Sequence, residues 1–270
     1  MSEFSLLLFS VDTDFIRDAV AGGLAGVVVD WEHIGKERRQ NFADTEINHH
    51  TLDDLRAVRA CTTARVICRI NGVHAGTPAE IDEAIGAGAD ELLVPMVREA
   101  AEVEQVLSHV RERCSVSILV ETDAAVSLIA PLSRLPLTRV YVGLNDLSID
   151  RGSDTIFRAI ADGTVEEVRR HVRGAFGFGG LTLPEGGKPV PCRLLMAEMG
   201  RLGCSFSMLR RSFRRDTLGR NVQREVERML ETIAAQARRT PEEIERDRRA
   251  LLTSIESLGE PNVTATRSES

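Results

Sequence analysis

Lysine is nearly missing from this 270-residue chain: of its 34 basic residues only Lys36 and Lys188 are lysines. Catalysis through an imine needs a desolvated lysine, usually inside a core strand. Both lysines fall in segments that read as loops, so Schiff-base chemistry is not expected. A carbanion formed here would need a metal ion or arginine, whose permanently charged planar head grips a carboxylate through two parallel hydrogen bonds. Basic excess is missing too. The net charge of −7 lacks the electrostatic footprint of a nucleic-acid binder. No apolar run approaches the ~18 residues of a membrane span, and no charged leader with a long apolar stretch opens the chain. The expected compartment is therefore the cytoplasm, with no membrane partner. The five cysteines (Cys61, Cys68, Cys114, Cys192, Cys204) show no C-x-x-C spacing. An odd, dispersed set reads as reduced core thiols, not a disulfide framework or zinc site.

What the chain does have is alternation. Apolar runs at Leu6–Phe9, Gly26–Val29, Arg65–Ile70, Glu91–Val94, Val116–Val120, Arg139–Val142, Phe178–Leu183 and Ser205–Leu209 read as strands. Each precedes a segment of helical character: Thr13–Ala21, Leu52–Ala60, Pro78–Gly86, Glu99–Arg113, Asp123–Ser133, Ser153–Val172, Pro191–Leu202 and Asp216–Ala237. Strict alternation requires parallel strands, and this number of units in about 240 residues is the size of a (β/α)8 TIM barrel. An open doubly wound sheet is the alternative. The expected organisation is one catalytic barrel over residues 1–238, a further helix over 239–260 and a disordered tail over 261–270.

In such a barrel the active site lies at the carboxyl ends of the strands. Glu121 and Asp146 follow the fifth and sixth apolar runs. Two carboxylates there suit a hard cation that keeps open positions for water and the oxygens of a 2-oxo acid. Read singly, Glu121 could be a helix cap and Asp146 a turn residue. After the second strand comes Asp30-Trp31-Glu32-His33, after the third Arg69-Ile70-Asn71, after the fourth Val94-Pro95-Met96. A loop histidine with a carboxylate three residues before it can be an oriented base, so His33 with Asp30 fits acid/base work. Plain solvent exposure is the other reading of His33. Arg69, ending an otherwise apolar run, can hold a developing negative charge.

Taken in order, Asp30-x-Glu32-His33, Arg69-x-Asn71, Gly88-Ala89-Asp90-Glu91-Leu92-Leu93-Val94-Pro95, Val120-Glu121-Thr122 and Gly143-x-Asn145-Asp146-Leu147-Ser148 resemble a family. It is that of the HpcH/HpaI 2-oxo-acid aldolases and the citrate lyase β-subunit, in the phosphoenolpyruvate/pyruvate-binding barrel superfamily. The resemblance covers roughly residues 5–216. It implies Mg²⁺ or Mn²⁺ on Glu121 and Asp146, Arg69 stabilising a pyruvate-type enolate, and His33 with Asp30 as acid/base. Asn71, Pro95 and Asn145 would touch substrate, and the chain would form a homo-oligomer, a trimer or hexamer. Two departures bear on the acceptor: Leu119 stands where aldolase members commonly carry glutamine, and Gly86 where they carry aspartate.

The last two strands carry a separate signal. Gly186-Gly187-Lys188 follows the seventh, and Arg210, Arg211, Arg214 and Arg215 follow the eighth. Barrels often bind phosphate between these loops, so Lys188, Arg210, Arg211 and Arg214 are candidates for an anionic substrate group. An arginine-rich oligomer interface is the other reading. Beyond the barrel, Thr240-Pro241-Glu242-Glu243 starts a helix. Its stripe Ile244, Leu251, Leu252, Ile255 and Leu258 predicts a contact with another subunit. Together these features predict a metal-dependent carbon–carbon lyase acting on a small 2-oxo acid. The alternatives are a biosynthetic condensing enzyme, an acyl-CoA lyase of the citrate lyase β type, and a non-catalytic barrel that binds an acidic metabolite.

Overall fold

The computed structural model describes residues 4–35 and 50–258; the expectations for Lys36 and for the tail 261–270 lie outside them. Among the described residues nine parallel strands run β1 Ser5–Phe9, β2 Gly26–Asp30, β3 Arg65–Arg69, β4 Glu91–Val94, β5 Ser115–Val120, β6 Arg139–Val142, β7 Ala175–Phe178, β8 Gly180–Leu181 and β9 Phe206–Leu209. Their lateral order is β7-β6-β5-β4-β3-β2-β1-β9-β8. The predicted seventh strand is thus two pieces: β7 pairs with β6 and β8 with β9. Gly179 between them sits at φ +58°, a left-handed turn that glycine tolerates without Cβ strain. The break lets one passage of chain serve both neighbours and nearly close the barrel, so the (β/α)8 expectation holds and the open sheet does not.

Period-two alternation sorts the side chains. One buried cluster contains Leu7, Val28, Ile67, Leu93, Leu119, Tyr141, Phe206 and Met208, the barrel interior. The intervening residues, such as Val27, Val29, Val66 and Leu92, join the larger cluster beneath the helices. Continuing the interior series toward the amino ends reaches Arg65, Glu91, Ser117 and Arg139. Glu91, buried there, receives Arg65 at 3.3 Å as well as Arg139 and Ser117, so the floor is a satisfied ionic plug. The same series toward the carboxyl ends reaches Phe9, Asp30, Arg69, Glu121 and Gly143.

The helical segments depart from the sequence reading in instructive places. Helix Leu144–Arg151 starts directly after β6, so Asp146 sits in a helical first turn. The expected helix over Asp123–Ser133 is two, Asp123–Ser127 and Ile129–Leu132. Pro131 has no N–H to offer the carbonyl of Ser127 and its ring crowds that position. The expected long helix over Ser153–Val172 is likewise two short ones, Arg158–Ala161 and Thr164–His171. No helix among the described residues is long and apolar enough to cross a membrane.

The C-terminal helix Pro241–Glu256 opens on a reciprocal cap between Thr240 and Glu243. Its stripe was expected to meet another subunit; its own chain covers part of it, and Ile244 and Leu252 stay half-buried. Leu251 and Ile255 are fully buried, Leu258 packs against the same core, and the helix lies on Cys192–Arg201. The helix following the barrel turns back through a short 3-10 segment, Gln236–Arg238, which brings the stripe onto its own barrel. Leu251→Ala should therefore destabilise the fold by about 2–5 kcal/mol, read by urea unfolding. A stability change independent of Leu251 but dependent on protein concentration would show that the stripe serves assembly.

Candidate active site

Strand register assembles the site. Asp30 and Arg69 are cross-strand partners at the ends of β2 and β3, so their side chains leave the sheet side by side on the inner face. Arg69 donates from Nε to Asp30 Oδ1 at 2.8 Å and from Nη2 to Oδ2 at 2.7 Å. Its Nη1 lies 3.1 Å from Glu32 Oε2. All three side chains are buried. Two facing carboxylates hold the guanidinium fully charged despite the desolvation that opposes it. The Arg69 head also stacks 5.1 Å from the Phe9 ring. Arg69 is thereby fixed in position before any substrate arrives.

Glu121 sits one residue past β5 and is buried. Its Oε1 accepts the Met96 N–H at 2.9 Å. Met96 reaches it from a left-handed backbone, φ 52°, uncommon for a residue with a side chain and a form of strain that gathers at functional sites. Gly143 faces Glu121 from β6: a Cβ there would lie 2.7 Å from Oε2. The glycine of the Gly-x-Asn-Asp motif therefore makes room for the carboxylate. Burial raises the Glu121 carboxyl to about 8, with the nearby charges of Asp146 and then Glu32 adding to it against Arg69 and the Met96 N–H. Asp146 Oδ1 is buried with no hydrogen-bond partner. A buried, unpartnered carboxylate oxygen beside a second acid pushed toward neutrality marks a place short of positive charge.

A cavity of about 310 Å³ joins these groups. Its lining includes Arg69, Glu121, Asn145, Asp146, Lys188, Arg210 and Arg211, with Phe9, Leu119, Tyr141, Leu144, Phe157 and Met208 among the apolar walls. Seven of the sequence-predicted residues thus meet. Leu119, at the family's glutamine position, contributes a plain apolar wall. No trio of His, Cys, Asp or Glu converges as a preformed metal cage among the described residues. The pair Glu121 and Asp146, one of them with an orphaned oxygen, nevertheless fits a hard cation of the Mg²⁺ type, which commonly takes one or two carboxylates and fills its remaining positions with water and substrate.

The structure places the other candidates apart from this cavity. Asp30 does not orient His33, because its oxygens serve Arg69 and the Glu32 N–H. The His33 Nδ1 instead lies 2.8 Å from the Trp31 carbonyl, and the exposed ring lines an adjacent cavity with His50, Asn71, His74 and Glu80. Asn71 Oδ1 accepts the N–H groups of His33 and Ile34, and its amide donates to Glu80 at 2.7 Å. Pro95 is buried and does not line the cavity. Arg214 pairs with Asp12 and stacks over Phe15 outside it. Sequence reasoning passed over Glu32 as an Arg69 partner and over the Met96 N–H. Glu32 could have been found from its place beside Asp30; a backbone N–H leaves no trace in residue type.

The profile of the HpcH/HpaI aldolase/citrate lyase family matches residues 4–156, more than half of the chain and the whole stretch from β1 through Asp146. The protein belongs to this family. An HpcH/HpaI aldolase from Desulfitobacterium hafniense DCB-2 superposes with a TM-score of 0.60 at 17% identity, over 81% of this chain and 91% of that one. The citrate synthase SbnG superposes with a TM-score of 0.59 at 18% identity, over 81% and 90%. At these identities the likeness establishes the fold. No curated protein matches the sequence. The family profile ends before Lys188, Arg210 and Arg211.

Proposed function

We propose that this protein is a divalent-metal-dependent carbon–carbon lyase that makes or breaks a bond to the enolate of a small 2-oxo acid. The observation carrying this reading is the convergence on one cavity of an immobilised Arg69 with the Glu121–Asp146 pair and its unpartnered oxygen. Glu121 and Asp146 would hold Mg²⁺ or Mn²⁺, which when bound supplies Lewis-acid polarisation of the 2-oxo group. Arg69, already oriented by Asp30 and Glu32, would offer its remaining N–H groups to the oxygen on which charge develops, with no reorganisation at the moment of reaction. Phe9, Leu119, Tyr141 and Met208 keep water from the carbanion. The cavity lies at the small end of ligand sites and suits a free acid better than a coenzyme A thioester. A proton passing between His33 and the distal hydroxyl would cross through water.

Exchange of the pyruvate methyl protons in D₂O, followed by NMR, tests the shared enolisation step. Exchange should need Mg²⁺ or Mn²⁺ and vanish after exhaustive chelation. Exchange that persists without metal would favour a condensing enzyme using the same enolate through arginine alone. No exchange with any metal would remove enolate chemistry, leaving a metabolite-binding barrel. Cytoplasmic location and assembly as a homo-oligomer accompany the proposal.

A further inference from the structure

The groups around the carboxylate pair arrive on three segments that leave adjacent strands. The segment after β4 brings the Met96 N–H, the one after β5 brings Glu121, and the helix Leu144–Arg151 after β6 brings Asp146. Asp150 lies one turn beyond Asp146 on the same side of that helix. Its Oδ1 accepts from Arg98 Nη2 at 2.7 Å, and Arg98 stands two residues past Met96. Its Oδ2 accepts the Asp123 N–H at 2.9 Å, and Asp123 stands two residues past Glu121. One carboxylate thus ties all three segments together. Two further bonds tighten the clasp: the Thr122 hydroxyl donates to the Val97 carbonyl, and Arg151 Nε donates to Asp123 Oδ1 at 2.8 Å. Arg98 is exposed, and an exposed ion pair adds little to stability. Its effect is positional. Glu121 and Asp146 repel as like charges, and a helix of eight residues is marginal by itself. The spacing of the two carboxylates therefore depends on what holds that helix against its two neighbouring segments.

We propose that Asp150 is a positioning residue for the Glu121–Asp146 pair, fixing the distance at which the two carboxylates meet a divalent cation. Asp150 does not line the cavity; it acts through the segments that carry Met96, Glu121 and Asp146. The inference rests on the reading that this pair holds a metal. Partners that orient metal ligands from outside the coordination sphere control affinity by about 10- to 100-fold. Asp150 therefore sets how tightly the site takes its cation, with Arg98 as the weaker half of the same tie.

The test is Mn²⁺ binding to the full-length, metal-stripped protein, read from the EPR signal of free Mn²⁺ well below the melting temperature. Loss of binding in Glu121→Gln assigns the signal to this pair. Asp150→Ala should bind Mn²⁺ about 10- to 100-fold more weakly than wild type, with wild-type circular dichroism. Asp150→Asn keeps an oxygen for the Asp123 N–H and loses the charge that meets Arg98, so it should fall between. Arg98→Ala should also weaken binding. Combined with Asp150→Ala it should lose no more than Asp150→Ala alone, because both act through one tie. Arg113→Ala breaks a 2.8 Å pair with Asp82 ahead of β5 and should bind as wild type does. Wild-type affinity in folded Asp150→Ala overturns the inference. If that variant does not fold, unchanged affinity in both Asp150→Asn and Arg98→Ala overturns it. So does an equal loss in Arg113→Ala, which would make the effect one of general stability. These outcomes stand apart from the metal reading. A wild-type protein that binds no Mn²⁺, or binds it no better than Glu121→Gln, sinks both; binding that requires Glu121 but is unchanged across the Asp150 series sinks only the positioning role.

Discussion

Arg69→Lys should lower turnover by about 10²–10³-fold while the barrel stays folded. The substitution keeps the charge that Asp30 and Glu32 require, so the buried cluster is not left with uncompensated carboxylates. It removes the fork that lets one side chain hold Asp30 through two hydrogen bonds, reach Glu32 and still offer an N–H to the cavity. A compact ammonium cannot span those positions at once. The expected loss matches removal of one preorganised donor from a site of developing negative charge. It should fall on kcat for pyruvate exchange and for carbon–carbon cleavage alike. Arg69→Met, by contrast, should destabilise the fold by about 3–5 kcal/mol, because it strands two buried carboxylates. Wild-type turnover in Arg69→Lys would take the residue out of the chemistry and leave it a structural anchor.

The second large effect is a pH-dependent stability carried by Glu121. Its carboxyl is raised from 4.5 to about 8 in the folded protein, so the native state holds this proton more tightly than the unfolded chain. The associated stability is fully present below the unfolded pKa and is lost as pH rises through the folded one. In chelator, wild-type unfolding free energy should therefore fall between about pH 5 and pH 8, by an amount on the order of a few kcal/mol. Glu121→Gln keeps the shape without the charge. The gap between this variant and wild type should widen with pH, with the variant the more stable at pH 8. Mg²⁺ should restore wild type most at the alkaline end, because metal and proton compete for the same carboxylates. A gap that does not change with pH in chelator would show that Glu121 does not carry this charge burden.

Much of this was legible in the sequence. Strand–helix alternation announced the barrel, and the placement of Arg69, Glu121 and Asp146 just past apolar runs announced which rim they share. Period-two alternation extends further: Arg65, Ile67 and Arg69 on β3, or Ser117, Leu119 and Glu121 on β5, show their inward face directly in the sequence. Missed features share a cause. The left-handed Met96 and its N–H to Glu121, the split of the seventh strand at Gly179 and the break before Pro131 are backbone decisions, set by what the surrounding chain must reach.

The sequence by itself determined the fold class and the inner face of each strand, because these depend on residue type and local period alone. Partnership was decided only by tertiary structure. Local spacing puts His33 three residues from Asp30, yet β2–β3 register sets Asp30 directly beside Arg69, and a buried bidentate ion pair outcompetes a contact with an exposed loop ring. The same logic returns Leu251 and Ile255 of the C-terminal stripe to their own barrel, sends Arg214 to Asp12 and leaves Lys188, Arg210 and Arg211 facing the cavity. Each depends on which distant surface the folded chain brings within reach, and residue spacing along the chain does not encode that distance.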